Sequence, residues 1–322
     1  MKEYFNTLIK QLKQIKDKLF NQKTAKIFRI TYSVVWNLIL ISTIFFILAV
    51  SLGLGVGAGY FASLVKDEYP RSYNELKKDI YNYEAPSKLY FANDVFLGQL
   101  RSDIVREEVK INDVSDFVKK AVIATEDQNF QTHNGVVPKA VLRALYQEVT
   151  NSSVQTGGST LTQQLVKNQI LTNEVSFERK AKEILLALRV EKFFSKDEIL
   201  EAYLNVSSFG RNSSGQNIAG IQAAAKGIFG VSAKDLDLAQ AAFIAGLPQS
   251  PYGYTPFTNK GELKSREGLE AGLNRQKVVL RRMLEMGYIT KEQYNDAISY
   301  DIMKDFIPPQ DSIIEQYPYL IM

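Results

Sequence analysis

A long run without charge is the feature that most constrains this chain. Residues 30–65 contain no Asp, Glu, Lys or Arg, and their apolar core exceeds the roughly 20 residues that an α-helix needs to cross a bilayer. A cleaved signal peptide is the alternative, but its apolar core spans only about 7 to 15 residues. The run therefore predicts one retained transmembrane helix.

The charges on either side of this run indicate its orientation. Residues 1–29 hold eight Lys/Arg against two acids, whereas the sequence after position 65, KDEYPRSYNELKKD, is mixed in sign. Positive charge favours the cytoplasmic side of a membrane, which predicts a cytoplasmic N-terminus and an extracellular chain after about residue 66. The basic tail could also bind anionic lipid of the inner leaflet, at about 1 kcal/mol per basic residue.

Composition excludes several classes of function. The chain has no cysteine and one histidine, which rules out disulfides, thiolate nucleophiles and multi-histidine metal sites. Outside the tail, 31 basic residues face 33 acids, so no nucleic-acid partner is expected. The alternating glycines of residues 53–59 lie inside the apolar run, which favours helix packing over a nucleotide loop. No organic cofactor is expected.

The rest of the chain divides by pattern. The predicted segments are the basic tail 1–29, the transmembrane helix 30–65, a connector with a β-hairpin at 66–113, a mainly α domain at 114–303 and a linker at 304–322. The hairpin follows from two short apolar runs around Asn93 and Asp94. The domain shows apolar residues at spacings of three and four, with helix-capping signals at Thr160 and Ser195. Pro308 and its neighbouring proline indicate the linker.

The segment ATEDQNFQTHNG places two acids at the end of an apolar helix. Glu126 and Asp127 enter a loop that also holds Phe130 and His133. A carboxylate in such a place is a candidate general base. The alternative is an ordinary helix end with solvated acids, and a lone His133 is more typical of a structural hydrogen-bonding residue.

The segment TGGSTLTQQLVKN predicts a capped helix with a polar face. Thr160, Gln164 and Lys167 recur at i, i+4 and i+7 and therefore share one side of that helix. A hydroxyl, an amide and an ammonium beside a helix N-terminus would suit a phosphate or a sugar. An ordinary solvated face fits the same spacing, so both interpretations stay open on these residues alone.

The segment FERKAKEILLALRVEKF is apolar on two sides. The stripe predicted to face the core consists of Phe177, Ala181, Ile184, Leu185 and Leu188. The opposite side carries Glu183 among other apolar residues, with Arg179 one turn earlier. A cleft-lining acid beside a cation is a functional candidate, and a surface ion pair between the two residues is the alternative.

Two carboxylates and a basic cluster together indicate glycosyl chemistry. Glu126 and Glu183 would supply the paired acids that act at a sugar anomeric centre. Lys167, Arg179 and Lys180 would stabilise a departing phosphate. The combination predicts transfer of a sugar from an anionic leaving group.

A family resemblance extends this interpretation. The three segments, with KDEILEAYLN and AAAKGIFGVSAKDLDLAQAAFIAGLPQSP, resemble in order and spacing the motifs of the family 51 peptidoglycan glycosyltransferases, found in class A penicillin-binding proteins, here of the Gram-positive type. The resemblance covers residues 88–297 and implies a lysozyme-like, mainly α fold with a head lobe and a membrane-embedded jaw lobe. It also implies lipid II and the growing glycan strand as substrates, inversion at C1 and release of undecaprenyl pyrophosphate.

The resemblance also implies roles for individual residues. Glu126 would be the general base for the acceptor hydroxyl, and Glu183 would assist departure of the pyrophosphate, directly or through a divalent cation such as Mg2+ or Mn2+. The pyrophosphate would be held by Lys167, Arg179 and Lys180. The donor site would be lined by Thr160, Gln164 and Asn168. The cleft around the base would be shaped by Asp127, Phe130 and His133.

Some features depart from the family pattern. The loop at 206–222 is longer than usual, and IFGV stands where an aromatic residue and a lysine are common, so acceptor contacts there are not assigned. Ser63 and Lys66 match an SxxK pair, yet no SxN or KTG-like partner follows. We therefore expect a fragment that lacks the transpeptidase domain of the family.

Two other functions fit parts of the pattern. A lytic glycan hydrolase of the same fold would also use an acid in a cleft, but it has no need of cations at a leaving pyrophosphate. A non-catalytic scaffold in the cell membrane would instead recruit cell-wall elongation or division proteins through its cytoplasmic tail. A glycosyltransferase anchored in membrane lipid is the preferred hypothesis.

Overall fold

The computed structural model describes residues 2–19, 22–83, 88–90, 96–99, 104–141, 143, 158–171, 174 and 176–308. The chain divides into two compact units, Met1–Lys66 and Asp67–Met322. The first unit contains helices α1 (Lys2–Leu19) and α2 (Gln22–Leu64). Within α2, Ala25–Leu64 is a stretch of 40 residues that is long and apolar enough to cross a membrane. The uncharged run is therefore helical, as predicted.

The second unit is mainly helical. Its helices are α3 (Tyr73–Ile80), α4 (Asp116–Glu126), α5 (Leu161–Gln169), α6 (Phe177–Phe193), α7 (Lys196–Val206), α8 (Ile221–Phe229), α9 (Leu238–Gly246), α10 (Pro251–Tyr254), α11 (Arg266–Glu285) and α12 (Lys291–Ser299). Both predicted capping signals are confirmed, because Thr160 with Gln163 and Ser195 with Glu198 form reciprocal capping boxes at the starts of α5 and α7. The mainly α fold class is confirmed.

The strands form two small sheets. They are β1 (Lys88–Tyr90), β2 (Phe96–Gln99), β3 (Ile104–Arg106), β4 (Ser208–Arg211) and β5 (Asn217–Ala219). Strands β1 and β2 pair antiparallel, which confirms the predicted hairpin, although its turn lies outside the described residues. The second sheet has the order β3-β5-β4, with β5 parallel to β3 and antiparallel to β4.

This second sheet corrects the interpretation of residues 206–222 as an extended loop. The segment folds as the β4–β5 hairpin and adds to β3, which comes from the predicted connector. Gly215 (φ 76) lies in the turn of this hairpin, and Gly210 (φ 90) lies at a register irregularity within β4. A Cβ at Gly210 would lie 2.4 Å from the Pro251 carbonyl oxygen, so this strand packs too closely on α10 for any other residue.

The core is built from two groups of helices. Helix α4 packs against α9 and α11, while α5 packs against α6 and α7. The connector belongs to the same core, because Leu76 and Ile80 of α3 are fully buried there. Arg189 Nε of α6 also donates to the Arg71 carbonyl oxygen at 2.7 Å. Residues 66–87 are thus not a free spacer where the structure describes them.

Helix α6 buries only part of the predicted stripe. Ala181 is buried, but Phe177 and Leu188 are exposed, whereas Leu186 and Val190 on the other side are buried together with Glu183. An apolar pattern on both flanks cannot by itself select the buried side. The polar partners of the Glu183 carboxylate, described below, allow this face to be buried.

Candidate active site

Glu126 is the last residue of α4. The helix is anchored by buried side chains such as Val122 and Ala124, and it delivers the carboxylate to the edge of the core with the side chain 15% exposed. Arg275 Nη2 donates to Oε1 at 3.1 Å and Gln164 Nε2 donates to Oε2 at 3.2 Å. Each oxygen thus has one donor in the described structure, and lone pairs remain for a ligand proton.

Arg275 is the main site residue that the sequence analysis missed. It comes from α11, far along the chain from Glu126, and its guanidinium is buried enough that desolvation lowers its pKa below the ordinary arginine value. Gly246 of α9 makes room for it, because a Cβ there would lie 2.8 Å from Arg275 Cγ. The glycine in AFIAGLPQSP was the available signal, but nothing in the sequence indicates what it faces.

Gln164 is oriented by a buried tyrosine. Tyr203 of α7 has no exposed surface, and burial raises the pKa of its hydroxyl well above the ordinary value. The hydroxyl therefore keeps its proton and donates to Gln164 Oε1 at 3.4 Å. This fixes which end of the Gln164 amide is the acceptor, and it directs the Nε2 donor to Glu126.

Glu183 has a different environment. Its side chain is 2% exposed and pairs with Arg179 Nη1 at 3.0 Å and with the Lys180 ammonium. Gln163 Nε2 donates to Oε1 at 3.2 Å. The ion pair foreseen as an alternative to function is therefore present, but it lies in the core and includes a second cation. Such a buried carboxylate is tolerable only because its charge is compensated in this way.

Helix α5 links the two acids. Its consecutive residues Gln163 and Gln164 donate to Glu183 and Glu126, respectively. The carboxylates of α4 and α6 are therefore held at adjacent positions of a single helix. The sequence predicted that the two acids lie near each other, and the structure brings them together through these amides.

Lys167 and Lys180, two of the three predicted cations, reach the surface, whereas the Arg179 side chain is only 15% exposed. Lys167 and Asn168 are exposed at the end of α5. The Lys180 side chain is 38% exposed, and its ammonium also donates to Ser159 Oγ at 2.9 Å. Arg179 keeps a buried Nε without a hydrogen-bond partner in the described structure. The partly exposed Lys180 ammonium has three N–H donors and two described acceptors, so one donor remains for an anionic ligand.

Asp127, next to Glu126 along the chain, and His133 are buried and form a hydrogen-bonded pair. His133 Nε2 lies 2.7 Å from Asp127 Oδ2, and the Gly135 backbone N–H donates to Nδ1 at 3.0 Å. Because Nδ1 accepts, Nε2 carries the proton and donates to the carboxylate. Asp127 Oδ2 also accepts from the Leu161 N–H at 2.9 Å. Asp127 therefore joins the end of α4 to the start of α5.

The loop that contains Phe130, His133 and Gly135 packs closely against α6. Gly135 has φ 90, and a Cβ there would lie 2.6 Å from the Ala187 carbonyl oxygen, one turn after Glu183. Phe130 is fully buried, with the Lys196 ammonium 4.8 Å from its ring centroid. These contacts agree with residues that shape the cleft, and a substrate role for them stays a prediction.

Thr160 is placed differently from the polar face predicted for α5. It is 1% exposed, and its hydroxyl donates to the Gly135 carbonyl oxygen at 2.6 Å. Three N–H groups at this helix start are already bonded, to Gln163 Oε1, Asp127 Oδ2 and Thr160 Oγ1. An anionic ligand would therefore bind to the exposed cations, Lys167 and Lys180, and not to the N-terminus of α5.

A divalent cation does not fit the present surroundings of Glu183. Within the described ranges, no cluster of three or more His, Asp or Glu side chains is arranged to hold a metal ion. Both Glu183 oxygens are already paired with cations, which a metal would have to displace against charge repulsion. The expected Mg2+ or Mn2+ stays a prediction, and no step below depends on it.

Comparison with known proteins identifies the family of this chain. A family model described as Transglycosylase matches residues 93–284. Penicillin-binding protein 1A of Clostridium tetani is 40% identical over 239 residues, covering 73% of this chain and 29% of that protein. The Pseudomonas aeruginosa protein of the same name is 38% identical over 219 residues, covering 68% and 25%. The chain thus spans less than a third of the length of either relative.

A solved structure is also similar to this chain. The crystal structure of penicillin-binding protein 1A from Haemophilus influenzae has 25% sequence identity to it and a TM-score of 0.39. The similarity covers 71% of this chain and 22% of that one.

Proposed function

The chain belongs to the transglycosylase family, and we propose that it is a peptidoglycan glycosyltransferase that polymerises lipid II. In the proposed reaction, the acceptor 4-hydroxyl oxygen forms a bond to C1 of the donor sugar. The bond from C1 to the pyrophosphate oxygen breaks, and the product is a β-1,4-linked strand with undecaprenyl pyrophosphate as leaving group. The hydroxyl proton passes to Glu126.

The single observation that carries this proposal is that α5 contacts both acids: Gln164 donates to Glu126 on α4, and Gln163 donates to Glu183, which holds the cation pair on α6. Glu126 is partly exposed, is held by Arg275 and Gln164, and keeps lone pairs for a proton. Fixing the base in this way favours proton transfer, because a positioned carboxylate needs no reorganisation during the reaction.

Glu183 supports the leaving group through its neighbours. Its carboxylate holds Arg179 and Lys180 in place, and these cations would bind the oxygens of the pyrophosphate as its charge develops. Exposed Lys167 would add a third positive charge. We therefore assign Glu183 the positioning of cations and not direct contact with the sugar.

The cation cluster also separates the proposal from its alternatives. A hydrolase that cuts preformed glycan releases a neutral sugar hydroxyl, for which Arg179 and Lys180 would have no use. A scaffold would need no free lone pairs at Glu126. Both remain outcomes of the experiment below.

The proposed location is the cell membrane. Helix α2 is long and apolar enough to be the anchor, and it would keep the enzyme beside a lipid-linked substrate. The charge bias of residues 1–29 supports a cytoplasmic N-terminus with the catalytic unit outside the cell.

The direct test supplies purified lipid II to the full chain in detergent micelles and resolves the products by electrophoresis. Glycan strands, with release of undecaprenyl pyrophosphate, are the expected result. Cleavage of preformed glycan without polymerisation would establish the hydrolase instead. Binding of lipid II without any conversion would establish the scaffold.

A further inference from the structure

Helix α1 has two sharply different faces. The large apolar side chains that the structure describes in this helix are exposed, from 45% at Leu8 to 78% at Tyr4. They are Tyr4, Phe5, Leu8, Ile9, Leu12 and Ile15. At 100° per residue these positions fall within an arc of about 140°. A continuous apolar face therefore runs along the whole helix.

The remaining arc is polar and basic. It contains four of the five lysines of α1, against Glu3 and Asp17, and the fifth, Lys16, lies inside the apolar arc close to its margin at Ile9. On the same projection Lys13 and Lys18 lie about 40° beyond the two margins of the apolar arc, so their long stems can follow the apolar face while the ammonium groups stay in water. This is the pattern of helices that lie in a membrane interface.

The closeness of α1 to α2 along the chain favours the bilayer as the surface that the apolar face of α1 contacts. Helix α2 begins at Gln22, directly after α1, and its uncharged run starts at residue 30. If α2 spans the membrane, only about ten residues separate the end of α1 from the bilayer. The linkage keeps α1 close to the bilayer surface, which gives it a high effective concentration there. A helix that forms a coiled coil has apolar residues at only two positions of every seven. The apolar face of α1 is wider than that pattern.

We propose that α1 lies flat on the membrane, with its apolar face in the boundary between headgroups and acyl chains and its lysines on anionic headgroups. The proposal rests on α2 being the anchor in the function proposed above. It makes the N-terminal tail a second membrane attachment and not only a topology signal.

The test uses the full chain in nanodiscs, where both membrane surfaces are accessible. Because the chain has no cysteine, Leu8→Cys and Asn6→Cys can each carry one spin label, on opposite faces of α1. In discs of phosphatidylcholine with phosphatidylglycerol, oxygen should reach position 8 several-fold more readily than a water-soluble nickel chelate does. Position 6 should show the reverse preference.

Two further measurements make the result decisive. Replacing Lys10, Lys13, Lys16 and Lys18 by Gln, or using phosphatidylcholine alone, should reduce the burial of position 8 several-fold. Equal exposure of positions 6 and 8 to the chelate would overturn the proposal. Dipolar coupling between labels on two chains, with position 8 shielded in either lipid, would overturn it in favour of a second copy.

The same preparation separates this inference from the proposed function. If the chain polymerises lipid II while position 8 is exposed to water, only the surface-helix proposal is contradicted. If position 8 is buried but no polymerisation occurs, the surface-helix proposal is supported and the proposed enzyme activity is contradicted.

Discussion

Glu126 and Glu183 have the same side chain and both contact α5, but their surroundings differ. Glu126 is 15% exposed and has one cation and one amide as partners. Glu183 is 2% exposed and has two cations and one amide. The first carboxylate can still accept a proton, whereas the lone pairs of the second are largely used within the fold. We therefore expect the two acids to have separate roles, which mutation should distinguish.

The largest effect is expected for Glu126→Gln. The amide can still accept from Arg275 but cannot take up a proton, so the rate of polymerisation should fall by about 10²- to 10⁴-fold. The free energy of unfolding should fall by about 1 to 2 kcal/mol, because an amide has a single acceptor oxygen and leaves either Arg275 or Gln164 without its acceptor. Turnover of lipid II and chemical denaturation would measure the two quantities.

The matched control for this variant is Glu285→Gln on α11. Its side chain is 61% exposed, so neither quantity should change. If Glu126→Gln lost its activity only together with several kcal/mol of stability, its carboxylate would be structural and the contrast with Glu183 would disappear.

Glu183→Gln should show the opposite balance. Removing one partner of a buried ion pair leaves uncompensated charge and should cost about 3 kcal/mol of unfolding free energy. Displacement of Arg179 and Lys180 should lower turnover by about 100-fold. Glu178→Gln on the same helix, 54% exposed and paired with Lys182, is the control. A stable Glu183→Gln protein without activity would indicate direct contact with the substrate.

Arg275→Lys sharpens the account of the base. Lysine keeps the charge but cannot present the guanidinium geometry that fixes Glu126 Oε1. A hydrogen bond to a charged group contributes about 1.5 kcal/mol or more, so turnover should fall about tenfold. Arg281→Lys, 61% exposed on the same helix, should behave as the original chain. Unchanged turnover for Arg275→Lys would show that Glu126 does not need this partner.

The smallest effect is expected for Gly246→Ala. A Cβ would lie 2.8 Å from Arg275 Cγ and would push this side chain away from Glu126. Turnover should fall several-fold, while the free energy of unfolding should change by less than about 1 kcal/mol because alanine favours the helix. An equal loss in Gly268→Ala, at the start of α11, would mean that the glycine acts on folding and not on Arg275.

Local signals predicted much of the fold. The apolar run predicted α2, and capping pairs at Thr160 and Ser195 marked the starts of α5 and α7 because these interactions span only a few residues. The β1–β2 hairpin was predicted for the same reason. The β3-β5-β4 sheet was not, since it joins segments more than one hundred residues apart.

The candidate site shows the same limit. The i to i+4 spacing predicted the pair of Arg179 with Glu183. It could not show which face of α6 is buried, because that depends on Gln163 from another helix. Arg275 could not be predicted at all, since its partner becomes visible only when α4 and α11 pack.

Binding and turnover of lipid II, measured side by side, test the central claim most directly. With full-length variants in the same detergent, Glu126→Gln should bind lipid II with an unchanged Kd and fail to polymerise it. Glu183→Gln should bind it more weakly, because Arg179 and Lys180 lose their support. Weakened binding in Glu126→Gln together with normal binding in Glu183→Gln would contradict the division of roles between the two acids.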